Sequence, residues 1–146
     1  MSHRRLLALS WVLAVSAFAA CGWFEDPTPE YLRFRLSGPA GATVHVVYST
    51  QFVAAVDEQG VTRVSLSWAD TLRRTLPVDT TVYIGIDRRF FVEVKPIQPD
   101  PVAVDVRVEV DDRSQISERG TVQASKPWRY AYLFNQRITR IIDTVL

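Results

Sequence analysis

Soft metal ligands and redox-active side chains are nearly absent: 146 residues hold one cysteine, Cys21, and two histidines, His3 and His45. A lone cysteine closes no internal disulfide, and a transition-metal centre built on imidazole and thiolate lacks the ligands to form. No metal and no cofactor are expected. An excess of charge of one sign is missing too. The formal balance is +1, and loss of residues 1–20, which carry Arg4 and Arg5, leaves 15 basic against 16 acidic side chains. Such a chain has no electrostatic footprint for nucleic acid, and that partner is excluded. With 47% apolar and 23% charged residues, what remains is an ordinary globular composition, long enough for one core.

The apolar material is unevenly placed. "MSHRR" is followed by "LLALSWVLAVSAFAA", 15 residues without a charge, and then by Cys21. As a helix that run is about 22 Å long, short of the ~30 Å hydrocarbon core, so a signal peptide fits better than a permanent membrane span. Ala19 and Ala20 before Cys21 resemble a bacterial lipobox, with Phe18 where leucine is usual. There the thiol receives a diacylglycerol and cleavage leaves Cys21 at the N-terminus. The alternative is ordinary cleavage that leaves Cys21 a free thiol. An unpaired exported thiol is a liability, so lipidation explains the residue better. The membrane is then a partner through Cys21. Gly22, where an aspartate would resemble an inner-membrane retention signal, points to the outer membrane facing the periplasm, or to the cell surface.

The chain divides into a lipoprotein signal peptide at residues 1–20, a tether at 21–30, a domain at 31–134 and a tail at 135–146. "GWFEDPTPE" holds two prolines and three acids without periodicity, as a tether does. From Tyr31 the period is two. Leu32, Phe34 and Leu36 alternate with Arg33, Arg35 and Ser37, and Val44, Val46 and Tyr48 repeat the pattern. Further inward faces are read at Val64, Leu66 and Trp68, at Val82, Ile84 and Ile86, and at Phe90, Val92 and Val94. Val102, Val104, Val106, Val108 and Val110 form the clearest strand, with Ala103, Asp105, Arg107 and Glu109 outward. "DEQG" at residues 57–60 reads as a turn, and the prolines of "KPIQPDP" at 95–101 mark a crossing or an edge loop. Short strands with frequent turns and no intervening helices predict an all-β, two-layer antiparallel sandwich. In the tail, Ile138, Ile141, Ile142 and Val145 fall at helical spacing, while their β-branched side chains keep a strand open. That tail either packs on the sandwich or serves as a partner-binding or membrane-surface helix.

The segments "YLRFRLSGPAGATVHVVYST", "VTRVSLSWADTL", "VDVRVEVDDRS" and "ASKPWRYAYLF" resemble, in that order, the extracytoplasmic domain of MmpS-like proteins and related small bacterial lipoproteins. The resemblance spans about residues 31–134; Ser67 stands where that pattern has proline and Asp112 where it has glycine. It implies a small Ig-like β-sandwich outside the cytoplasm, non-enzymatic, with some relatives assisting large lipid or siderophore exporters. An envelope protein or export complex is the implied partner.

The remaining polar residues assemble no evident chemistry. His45 falls on the outward face of its strand with no oriented serine and acid beside it in the sequence, so no catalytic residue is assigned. Asp111 and Asp112, two residues beyond Glu109, lack calcium-loop spacing and read as a solvated hairpin turn. Trp68 follows the inward parity of its strand and is expected in the core. Trp128, with Tyr130 beside it, is the candidate for an exposed binding residue. The function expected is a non-catalytic, membrane-anchored lipoprotein module that contacts another envelope component. The alternatives are a sugar- or lipid-binding envelope domain and, less well supported, a hydrolase.

Overall fold

The computed structural model describes residues 28–136 and the backbone of one further strand at 142–145; the signal peptide, Cys21 and most of the tether lie outside the described residues. The described chain is all-β. Its strands are β1 (Tyr31–Ser37), β2 (Thr43–Ser49), β3 (Phe52–Val56), β4 (Thr62–Leu66), β5 (Asp70–Thr75), β6 (Val78–Tyr83), β7 (Arg89–Pro96), β8 (Val102–Val110), β9 (Arg113–Val122), β10 (Trp128–Leu133) and β11 (Ile142–Val145). Two antiparallel sheets, ordered β6-β1-β8-β9 and β10-β7-β2-β5, make the two layers of a sandwich. The expected fold is therefore the observed one.

Alternation decides the main core. Leu32, Phe34 and Leu36 of β1, Val104, Val106, Val108 and Val110 of β8, Val44 and Val46 of β2, and Phe90, Val92 and Val94 of β7 are buried in one cluster between the sheets. Each such side chain contributes about 1.5–3 kcal/mol on burial, which offsets the entropy of ordering the strands. The outward face of the first sheet is wet. It carries cross-strand ion pairs between Arg33 and Asp79, Arg35 and Glu109, and Arg119 and Asp105.

A third sheet, ordered β11-β4-β3, is not legible in the sequence. Phe52 of β3 and Val64 of β4 form a second small core with Phe91 of β7 and Ala131 of β10, on the face of the second sheet that turns away from the main core. β7 is consequently buried on both faces, Phe91 and Glu93 included.

Chain crossings occur where the sequence carries its turn residues. Residues 38–42 carry the chain between sheets, with the Ala42 amide donating to Pro39 O at 3.1 Å and Gly41 at φ +80°. A Cβ on Gly38 would lie 2.6 Å from the Ala103 carbonyl oxygen, so only glycine lets these backbones approach. The crossing expected at residues 95–101 begins later, because Lys95 and Pro96 still belong to β7, opposite His45 and Val44 of β2, and residues 97–101 carry the chain to the other sheet. "DEQG" closes the β3–β4 hairpin, where the Asp57 carboxylate accepts the Gln59 and Val61 amides at 3.0 and 2.9 Å.

Asp111 and Asp112 form the exposed two-residue turn of the β8–β9 hairpin, both left-handed at φ 45° and 63°. Aspartate tolerates that region where most residues do not. The Asp111 carboxylate also accepts the amide of Tyr31 at 2.9 Å and that of Glu30 at 3.2 Å, while its own amide donates to Tyr31 O at 3.0 Å. Pro29 is buried, so ordered packing begins two residues before the boundary read from the sequence.

Three expectations are corrected. Trp68 is 53% exposed and Ile86 is 83% exposed, because β4 ends at Leu66 and β6 at Tyr83 and the alternation stops with them. In the tail, the strand alternative replaces the helical one over Ile142–Val145, which pairs parallel to β4 with Ile142 opposite Thr62. β-Branched side chains that crowd a helix fit a pleated strand.

Candidate interaction surfaces

The two residues expected to bind a ligand, Trp128 and Tyr130, lie on the inward face of β10, where they are partly buried against the main core. Trp128 stacks on Phe34 with ring centroids 6.1 Å apart and on Tyr130 at the same separation. Its indole N–H donates to Glu118 of β9, which ties the edge of one sheet to the edge of the other. This corrects the expectation of an exposed tryptophan. β10 carries its aromatics at alternate positions 128, 130 and 132, and that parity, rather than the preceding proline, fixes where they point.

Burial pushes the Tyr130 phenol up to about 12. The fold therefore favours the neutral phenol. Stability is full below pH 10, where an unfolded tyrosine titrates, and is lost as pH rises from about 10 through about 12. We expect urea denaturation at pH 9 and pH 12 to differ by up to about 2 kcal/mol from this group, and Tyr130→Phe to lessen the difference.

The outward face of the second sheet carries the most buried acid among the described residues. Glu93, 8% exposed, receives Arg129 Nε at 2.7 Å and lies 3.6 Å from Lys95 Nζ. His45 stands opposite Lys95 on one side and Arg73 on the other. A cleft of about 480 Å³ opens at the end of the sandwich where the chain enters, beside Pro29, Val110 and Phe134; no histidine, serine or cysteine lines it. Among the described residues no three His, Cys, Asp or Glu side chains gather to hold a metal ion, and no helix is long and apolar enough to cross a membrane.

Six large apolar side chains are exposed among the described residues, and they fall in two places. Val53 and Val56, 62% and 65% exposed, belong to β3, an edge strand of the third sheet. β3 reads FVAAV, whereas each of the other five described edge strands, β5, β6, β9, β10 and β11, contains a charged residue. Charge on an edge discourages strand addition, and β3 has none. The Ser67 amide donates to Gln51 O and the Asp57 amide to Val61 O, so the odd positions of β3 face β4 and the backbone groups of Ala54 and Val56 turn outward. Arg89 Nη1 closes one end of that edge by donating to Phe52 O at 2.7 Å. The five-residue apolar run at 52–56 is the available sequence signal for this edge.

The other four, Tyr31, Trp68, Tyr83 and Ile86, lie at one end of the sandwich, the end where the chain enters β1. No protein-family model matches the chain, and no curated protein sequence matches it significantly.

Proposed function

We propose that this chain is an exported, lipid-anchored, non-catalytic module that holds another envelope component by strand addition along β3. The observation that carries the reading is the edge itself. β3 alone among the six described edge strands lacks charge, and it presents the outward backbone groups of Ala54 and Val56 beside exposed Val53 and Val56. Main-chain hydrogen bonds to an added strand supply affinity, and the alternating side chains supply selectivity. Cys21, preceded by Ala19 and Ala20, supports the lipid anchor, and the near-neutral mature charge supports a protein rather than a polyanion as the partner. Trp128 and Tyr130 belong to the core stack, which removes the main support for a sugar platform on that strand.

The test uses the full chain expressed in a bacterial envelope. Mass spectrometry of the N-terminal peptide is expected to find acylated Cys21, and Cys21→Ser to release the protein from the membrane fraction. A double variant, Val53→Lys with Val56→Lys, gives β3 the charge that the other edges carry. Both positions are exposed, so stability should change by less than about 0.5 kcal/mol each. Cross-linking of wild-type protein to one defined envelope protein, lost in the double variant at unchanged melting temperature, is the expected result. Cross-linking that survives the two lysines moves the partner off β3.

A further inference from the structure

We infer that the end of the sandwich bearing Tyr31, Trp68, Tyr83 and Ile86 is a lipid-contacting surface that seats the domain on the bilayer to which Cys21 ties it. The inference rests on the reading of Cys21 as acylated.

Strand register sets two of the four residues side by side, and the turns that follow carry the other two to the same end. Tyr31 opens β1 and stands opposite Tyr83, the last residue of β6, with their rings edge to face at 5.4 Å between centroids. Ile86 follows in the turn that carries the chain from β6 to β7, a turn held where the Ile84 amide donates to Glu30 O at 2.8 Å and the Arg88 amide to Ile84 O at 2.7 Å. Trp68 reaches the same end from the other sheet. Ser49, the last residue of β2, bonds the Trp68 carbonyl through its hydroxyl and stands opposite Phe91, near the start of β7. β5 and β6 are the edges of their respective sheets and are joined by the short Leu76-Pro77 connection, so Trp68 and Tyr83 also share one side of the sandwich. Tyrosine and tryptophan suit a headgroup region because one part of each ring system is apolar and the other forms hydrogen bonds. Ile86, 83% exposed, has no such polar end and is the side chain best suited to reach the acyl boundary.

The tether decides which occupant this surface meets. Thr28 is seven residues beyond Cys21, a reach of about 25 Å at full extension. The chain's entry is fixed, because Asp111 and Ile84 hold the backbone at Glu30 and Tyr31. β1 is itself about 23 Å long, so bringing the opposite end to the bilayer would consume the whole tether in running back along the domain. Charges at the entry end lean acidic, with Glu30, Asp70, Asp87, Asp111 and Asp112 against Arg88, Arg89 and Arg113. The contact is therefore apolar and interfacial, not an electrostatic adsorption to anionic lipid.

Acylation of Cys21 leaves a new cysteine as the sole thiol, which makes the test direct. The full acylated chain carrying Ile86→Cys, labelled with an environment-sensitive fluorophore, is reconstituted into vesicles of phosphatidylethanolamine and phosphatidylglycerol. Ser125→Cys, exposed in the turn before β10 at the opposite end, is the control. The expected result is a blue-shifted label at position 86, quenched several-fold more by brominated lipid than the label at 125. Equal, water-like emission at both positions in acylated, vesicle-bound protein overturns the inference and leaves the anchor standing. A label at 86 that becomes shielded only when a second protein is added also overturns it. An unmodified Cys21 in protein that stays in the aqueous phase overturns both readings.

Discussion

Val106→Asp is expected to cost several kcal/mol, a loss comparable to the domain's whole stability, while Arg107→Asp should cost less than about 1 kcal/mol. The two residues are neighbours on β8, and the difference comes from parity alone. Val106 is buried between Leu36 of β1 and Glu118 of β9 in the ladder, with its side chain in the main core. A carboxylate there enters an apolar cluster opposite the Glu118 carboxylate, which already holds the Trp128 N–H, so it either remains ionised at large cost or takes up a proton. Arg107 faces solvent on the side that already carries the Arg35–Glu109 and Arg119–Asp105 pairs. Urea denaturation of both variants checks the assignment, with the Val106→Asp protein expected to lack a cooperative transition at physiological temperature. Equal losses at the two positions would mean that β8 does not have one buried and one wet face, and the assignment would be wrong.

Parity also sets the limit of what the sequence discloses. β1 and β8 are legible because one face of each is wet, so Arg33, Arg35, Arg107 and Glu109 punctuate the apolar positions. Trp68 and Ile86 escape the pattern because parity holds only while the ladder continues, and "SW" and "GI" lie just past the last paired residues of β4 and β6. The third sheet is hidden because its signal is a doublet. In "RFFVEV" both Phe90 and Phe91 are buried, and a doublet of phenylalanine does not say what covers its second member. Trp128 is hard to place for a related reason. Its strand is short and follows a loop, and the partner that draws the indole inward, Glu118, is ten residues away on the other sheet. The two apolar surfaces become visible only through topology. β3 is distinguished by being an edge, and Tyr31, Trp68, Tyr83 and Ile86 are distant in sequence but share one end.

Phe90→Ala and Phe91→Ala are expected to destabilise the domain by similar amounts, about 3–5 kcal/mol each. In a plain two-layer sandwich one of two adjacent residues must face solvent, and truncating that one would cost little. Here Phe90 packs in the main core, stacked on Tyr48 with centroids 6.3 Å apart, while Phe91 points the other way into the second core. There it meets Phe52 at 6.1 Å between centroids, with Val64 and Ala131 completing the enclosure. Loss of the Phe91 ring removes its contact with Phe52 of the third sheet and leaves a cavity that a strand pair cannot easily collapse into. The two substitutions should differ in what they release. Phe91→Ala should free β3 and β4 first, with faster amide exchange at Ala55 and Ser65, whose backbone groups face each other's strand, while β1 and β8 stay protected, whereas Phe90→Ala should lower protection across both main sheets together. A cost below about 1 kcal/mol for Phe91→Ala would mean that the third sheet merely rests on the sandwich. β3 would then be too loosely held to offer a fixed edge for strand addition, and the proposed partner surface would fall with it.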